Sequence, residues 1–295
     1  MKNRGLVFTL VALTLTLTAV TIFIAHQNPS SSLSHGLPSP NGWDFFMQAG
    51  AKVTECDDYR KLDLDSLKSF VADNAAALTL VRTGLLHESC VVLDYEHGGT
   101  NILDGLPELK KLGTAFCAEV RLAELTGHPE DALRSCVDLL RFSDQCSRGG
   151  PLIHGMVGWA IESLAAGKLE ELLPLLDATT CRTASSALEN FDTHRQTTSQ
   201  FVQNESDWRK QTFPGLRHRW QDLLTIQSRW ALDGSIAEKN SKRVKATRQL
   251  LFRFAARAYE LEQGKRPIKA TDLVPTYLKA VPSDPATGKP MELTP

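Results

Sequence analysis

The chain has 295 residues, enough for one sizeable core or two small ones. Its formal net charge is −1, which argues against a protein that binds nucleic acid over most of its surface. Hydrophobic residues make up 42% and charged residues 23% of the sequence, and these values favour a folded body over a disordered chain.

The first element is an apolar run, residues 5–25, that contains no charged side chain. A helix over this run would be about 31 Å long, which is enough to cross a hydrocarbon core of about 30 Å. Lys2 and Arg4 precede the run, and no Lys or Arg follows it until Lys52. Because basic residues stay on the cytoplasmic side, we predict a cytoplasmic tip (residues 1–4), one transmembrane helix in the cell membrane and an extracytoplasmic body.

Two alternatives to a retained anchor remain open. A cleaved signal peptide has a shorter apolar region and small residues before the cut, whereas Phe23 stands at that place for a cut after Ala25. The start of the chain also resembles a type IV prepilin, in which a peptidase cuts after glycine, here Gly5. That family has a glutamate where this chain has Leu10. The retained signal-anchor is therefore the prediction.

The body is predicted to occupy residues 41–264, after a Ser/Pro-rich tether of residues 26–40. Its apolar residues have helical spacing, which predicts a mainly α-helical fold of stacked helical hairpins. Asp65 is the expected N-cap of the first long helix, and Asp233-Gly234 is the expected break in the last one.

The clearest local unit is a helical hairpin. Residues 106–126 and 130–147 have helical spacing, and Gly127-His128-Pro129 separates them, with glycine suited to a helix end and proline to the next first turn. The fragment 124–133 resembles the middle of a tetratricopeptide repeat, a module that stacks helix pairs and usually binds peptides. No second copy occurs at the expected spacing of about 34 residues.

Six cysteines lie in the part predicted to be exported, where disulfides form. None has the Cys-x-x-Cys spacing of a zinc or redox motif, so no metal is predicted. Cys117 and Cys136 lie almost symmetrically about the hairpin turn and are the candidate disulfide pair. Buried free thiols are the alternative.

The last segment, residues 265–295, contains six prolines, which forbid a long helix. A turn at Asp284–Gly288 between two short extended pieces predicts a small C-terminal β-ribbon.

Several short motifs of the central and C-terminal parts of the chain carry a family resemblance: Arg148–Ile153, Val157–Glu162, Ala258-Tyr259, Glu262–Pro267, Leu273–Leu278, Val281–Pro285 and Gly288–Pro290. On these motifs the chain resembles a set of uncharacterised membrane-anchored helical proteins of planctomycete-type bacteria. The resemblance covers most of the chain and implies the same topology and helical content, but no activity. The C-terminal ribbon is also similar to the tails of type II secretion pseudopilins, where it packs on the stem helix.

Three residues are candidate catalytic residues of an envelope hydrolase: His154, which follows Gly149-Gly150, and Asp94 and His97 in a predicted loop. The alternatives are a packing role for His154 and a plain polar turn at residues 94–97. The sequence has no Gly-x-Ser-x-Gly motif and no glycine-rich phosphate loop, so no cofactor is predicted.

Residues 208–257 contain twelve Lys or Arg and only three acidic residues, with tryptophans interleaved. Such an excess attracts anionic surfaces within about a Debye length. The alternative is that acidic residues of the first half, such as Asp57 and Asp58, fold against this stretch. The candidate contacts to an anionic surface are Arg217, Arg219, Lys242, Arg243 and Lys245.

Together these features predict an envelope protein anchored in the membrane by its N-terminal helix. Its body is expected to be a non-catalytic scaffold or interaction module for a protein or an anionic polymer, with no nucleic-acid partner. An envelope hydrolase centred on His154 and a pseudopilin-like assembly subunit are the alternatives. The sequence does not indicate the oligomeric state.

Overall fold

The computed structural model describes residues 36–93, 100–212 and 226–293, and these residues form eight α-helices and no β-strand. The predicted mainly α-helical class is therefore confirmed. In chain order the helices are α1 (Gly42–Gly50), α2 (Leu64–Gly84), α3 (Leu106–Leu125), α4 (Pro129–Gln145), α5 (Leu152–Leu172), α6 (Ala178–His194), α7 (Thr198–Thr212) and α8 (Ile226–Gln263).

The predicted membrane anchor, residues 5–25, and most of the predicted tether lie outside the described residues. Among the helices that the structure describes, none is both long enough and apolar enough to cross a bilayer. The membrane topology stays a prediction.

Aspartate side chains begin two of the long helices. Asp63 Oδ1 accepts a hydrogen bond from Ser66 N (2.8 Å) at the start of α2, so the expected cap Asp65 is wrong and lies in the first turn. Asp177 Oδ1 accepts from Thr180 N (2.7 Å) at the start of α6. Each carboxylate satisfies an N–H that has no partner inside its helix, and its negative charge is favourable there.

Helices α3 and α4 form the predicted hairpin. Gly127 has a φ of +77°, a conformation that suits glycine at a helix end. His128 N donates to Ala123 O (2.8 Å) and closes the C-terminus of α3, and Pro129 then occupies the first turn of α4.

All six cysteines lie in the described ranges and all are free thiols, so the predicted Cys117–Cys136 disulfide is not formed. The symmetry about the turn does place both residues in the hairpin core, where they are 1% and 0% exposed. Burial raises the pKa of both thiols and favours their protonated form. Apolar packing, rather than a covalent bond at this pair, joins α3 to α4.

Helix α5 is central to the body and contacts α3, α4, α7 and α8. Its close approach to α4 is at Gly158, where an added Cβ would lie 2.4 Å from Ser143 O and 2.8 Å from Ser147 Oγ. Gly167 on the same helix has no neighbour within 4 Å of its Cβ position. Of these two glycines, only Gly158 is therefore required for helix packing.

Helix α8 continues unbroken from Ile226 to Gln263, so the expected break at Asp233-Gly234 is wrong. A glycine inside a helix costs about 1 kcal/mol relative to alanine, which tertiary packing readily offsets. The later turns of α8 supply that packing, because Leu250 and Phe254 are buried and α8 lies along α6.

The C-terminal segment contains less β-structure than the predicted ribbon. Its extended pieces meet in one isolated antiparallel bridge between Ser283 and Pro290. The predicted turn is present, since Gly288 N donates to Asp284 O and Asp284 N donates to Lys289 O (both 2.8 Å). Proline lacks the N–H that a longer ladder needs, which limits the pairing.

Gly158→Ala is expected to lower the free energy of unfolding by about 1–3 kcal/mol, because the new methyl group overlaps a backbone carbonyl of α4. Gly167→Ala is the matched control on α5, and it is expected to raise stability by about 0.5–1 kcal/mol because its methyl group meets open space. Urea unfolding of the purified chain measures both changes. Equal changes in the two variants would contradict the close approach of α4 and α5.

Candidate functional site

His154, the first catalytic candidate, lies in the first turn of α5 and is only 1% exposed. Its ring packs against Trp43 with the centroids 5.7 Å apart, and its Nδ1 has no hydrogen-bond partner among the described residues. Burial lowers the pKa of His154 from 6.5 to about 4, so the ring is neutral at pH 7. The structure therefore places His154 as a packing residue between α1 and α5.

The other catalytic candidates, Asp94 and His97, lie outside the described residues. Within the part of the chain that the structure describes, no three His, Cys, Asp or Glu side chains are grouped so that they could hold a metal ion.

Among the candidate contacts to an anionic surface, Arg217 and Arg219 also lie outside the described residues. Arg243 is not a surface residue: its side chain is 13% exposed and forms an ion pair with the buried carboxylate of Glu162. The expectation that Arg243 contacts an external anionic surface is therefore wrong, because an internal acid already pairs with it.

Lys242 and Lys245 are exposed, yet both have acidic partners. Lys242 Nζ lies 2.6 Å from a carboxylate oxygen of Glu238, and Lys245 Nζ lies 2.7 Å from one of Asp284. These acids come from α8 itself and from the C-terminal turn. They are not the acidic residues of the first half that were the expected partners of this stretch.

Glu162 is a carboxylate only 3% exposed, at the centre of a buried charge network. Arg195 Nη1 (3.0 Å) and Thr247 Oγ1 (2.9 Å) donate to its Oε1, and Arg243 pairs with its Oε2. Burial lowers the pKa of both arginines, that of Arg243 to about 10, and both stay charged at pH 7. The network joins α5, the residue after α6, and α8. Such full pairing is what makes a buried carboxylate tolerable.

Two further carboxylates extend this network. Asp192 pairs with Arg195 and accepts a hydrogen bond from Arg248 Nε (2.7 Å). Asp144 accepts from Arg148 Nε (2.7 Å) at the other side. The ion pairs therefore run from α5 through the end of α6 to α8, and Asp144 of α4 is connected to them through the backbone N–H of Gln196, the residue after Arg195 (2.8 Å).

A groove runs along the exposed face of α6. It has a part of about 760 Å³ between α6 and residues 275–279, and a part of about 370 Å³ between α6 and α4. The floor consists of short side chains from one face of α6, and three of them line both parts: Thr179, Thr183 and Ala187.

Tyr277 forms one wall of this α6 groove and is held at both ends. Its carbonyl accepts a hydrogen bond from Ser185 Oγ (3.1 Å), and its hydroxyl donates to Glu262 Oε2 (2.7 Å). The guanidinium of Arg182 lies 5.6 Å from the centroid of the ring and 3.2 Å from Glu262. The wall is therefore fixed relative to both α6 and α8.

The charged lining of the groove has opposite sign on its two sides. The side next to the C-terminal segment has one more basic than acidic residue, and the side next to α4 has one more acidic than basic residue. A bound segment that carries both signs would therefore have one preferred orientation. The charged residues are Arg182, Lys279 and Glu189 on the first side, and Arg134, Glu130 and Asp138 on the second.

The sequence matches no protein-family model, no curated protein and no solved structure. The evidence on function therefore comes from the geometry of the groove and of the charge network.

Neither the groove nor the network was predicted from the sequence. The partners of Glu162 are distant in the chain, with Arg195 33 residues and Thr247 85 residues away. One signal was available: Glu162 is the only charged residue between positions 152 and 167. A lone carboxylate in an otherwise apolar helix indicates a buried, paired group.

The free energy of unfolding is expected to fall as the pH decreases from about 6.5 to about 4. The unfolded chain binds a proton at His154 with the ordinary pKa of 6.5, whereas the folded chain does not bind it until the pH is near 4, so acid favours unfolding. His154→Leu is expected to remove up to about 3 kcal/mol of this acid-dependent loss of unfolding free energy. Urea unfolding between pH 4 and pH 7 measures the slope.

His128→Leu is the control, because His128 is exposed in the hairpin turn. This variant is expected to keep the wild-type slope. An unchanged slope in His154→Leu would show that His154 is accessible to protons in the folded chain.

Proposed function

We propose that the chain is a membrane-tethered interaction module whose helical body binds an extended polypeptide segment of a partner protein in the α6 groove. The observation that carries this proposal is the groove, whose two parts of about 760 and 370 Å³ share one floor. Both volumes lie in the range of about 300–1,000 Å³ that protein ligand sites occupy.

The chemistry of the groove floor suits a polypeptide backbone. Thr179, Thr183, Ser186 and Asn190 are exposed there, and their hydroxyl and amide groups both donate and accept hydrogen bonds. An extended backbone presents N–H and C=O groups that need such partners. With 17 residues, α6 is about 25 Å long, enough for about seven residues of extended chain.

A protein partner fits the charges better than an anionic polymer does. Lys242, Arg243 and Lys245 all pair with acids of the same chain, so a polymer would have to displace those acids. The groove instead contains charged residues of both signs, which the side chains of one polypeptide can match. Some of these residues also pair within the chain, as Arg182 does with Glu262 and Asp138 with Arg82, so backbone hydrogen bonds to the floor are the main contribution to binding in this proposal.

The membrane tether completes the proposal. The apolar run of residues 5–25 would hold the body at the outer face of the cell membrane with the N-terminus in the cytoplasm. The Ser/Pro-rich residues 26–40 would keep the groove within reach of partners near that surface. The resemblance to membrane-anchored helical proteins of planctomycete-type bacteria supports the same topology.

The two alternatives receive less support from the geometry. An envelope hydrolase centred on His154 would need an accessible imidazole, and this one is 1% exposed. The pseudopilin-like alternative depends on a C-terminal ribbon, of which the described residues contain one isolated bridge.

Site-specific photocrosslinking in native membranes tests the proposal. A photoreactive phenylalanine analogue at Ser186 in the full chain is expected to link one defined protein species. Thr183→Trp places an indole on the shared floor of the groove and is expected to reduce that crosslink at least about tenfold, because the occupant loses its space. The intact mass of the extracted, unlinked chain should still include residues 1–25.

Thr79→Trp is the matched control. Thr79 and Thr183 are both exposed helix residues whose hydroxyls donate to the carbonyl four residues earlier, so the two changes perturb their helices alike. The Thr79 variant is expected to keep the crosslink. A crosslink that survives Thr183→Trp, or that Thr79→Trp removes equally, would refute binding in the groove.

A further inference from the structure

Two buried arginines of the charge network have a donor that the network does not use. The side chains of Arg195 and Arg243 are 8% and 13% exposed. The terminal nitrogens of Arg195 meet Glu162 and Asp192, and those of Arg243 meet Glu162 and Asn240. The Nε atom of each arginine is buried and has no hydrogen-bond partner among the described residues. A buried donor without a partner is costly, so two in one place indicate a missing acceptor.

Both arginines line the same small cavity. The centre of a water-sized sphere can occupy about 10 Å³ of this cavity. The cavity therefore accepts one small atom or ion and excludes larger groups. Aromatic rings cover the guanidinium groups: Trp159 lies 5.2 Å from Arg243, and Phe191 lies 5.0 Å from Arg195. The cavity is thus lined by aromatic rings, by the two arginines with their unused donors, and by the carboxylates of Asp144 and Glu162.

The charges of the network do not cancel. Among the described residues the network contains four arginines and three carboxylates, so one positive charge is in excess. The charged residues that line the cavity itself are two of these arginines and two of these carboxylates, so the excess lies in the surrounding network. The two carboxylates that line the cavity already accept at least two hydrogen bonds each, and the unused groups there are donors. The members of the network are Arg148, Arg195, Arg243, Arg248, Asp144, Glu162 and Asp192.

We propose that this cavity binds one monovalent anion of the size of chloride, held by the Nε–H groups of Arg195 and Arg243. The anion satisfies both donors in a site of low dielectric, where such pairing is strong, and it offsets the excess positive charge of the surrounding network. It thereby ties α8 to the end of α6. Sulfate and phosphate are too large for the cavity, and this site is independent of the groove on α6.

Thermal unfolding at constant ionic strength tests the site. Exchange of sodium gluconate for sodium chloride in the buffer of the purified full chain is expected to raise Tm in a saturable way by about 2–5 °C. Sodium bromide is expected to act in the same way, and sodium sulfate is not. A Tm that does not depend on which anion is present would overturn the proposal.

Arg243→Lys keeps the positive charge but removes the Nε–H, and it is expected to abolish the response to chloride. Arg253→Lys is the control on the same helix, because the Arg253 side chain is 52% exposed, and it is expected to keep the response. A chloride response that survives Arg243→Lys would place the anion elsewhere.

Crystals of the wild-type chain grown with sodium bromide give a second measurement that does not depend on the folding of a variant. An anomalous difference peak is expected in the cavity beside the two Nε atoms. A featureless anomalous map at this place, with a single water as the occupant, would refute the anion site.

Discussion

A carboxylate inside a helical body must be surrounded by donors, and Glu162 imposes that constraint on this fold. Removal of a carboxylate from water costs several kcal/mol, which only close pairing and hydrogen bonding offset. Arg195, Arg243 and Thr247 provide that pairing from two later parts of the chain. Helices α5 and α8 and the end of α6 therefore cannot separate without leaving a buried charge unpaired.

The position of the C-terminal segment follows from the same network. Arg248 pairs with Asp192 and also donates to the carbonyl of Ser283, and Lys245 of α8 pairs with Asp284 in the turn. The segment is thereby held across α6, where its residues 275–279 form a wall of the groove. The proposed binding surface thus depends on charges that do not themselves contact its floor.

Local structure was predictable here because its causes are local. Gly127 and Pro129 end one helix and begin the next, so the hairpin follows from a few adjacent residues. The basic stretch shows the opposite case, because Arg243 looks exposed when charges are counted along the chain. Its acid, Glu162, lies on a different helix, and only the fold brings the two together. The same limit explains why the groove, whose walls come from α4, α6 and the C-terminal segment, was not foreseen.

Two matched substitutions on α5 test most directly whether the buried charge of Glu162 organises this half of the body. Glu162 and Glu170 both pair with an arginine of α8, but the Glu170 side chain is 55% exposed and that of Glu162 only 3%. By urea unfolding at pH 7, Glu162→Gln is expected to lower the free energy of unfolding by about 3–5 kcal/mol. Glu170→Gln is expected to lower it by less than about 1 kcal/mol. Equal, small losses in both variants would contradict a structural dependence on Glu162.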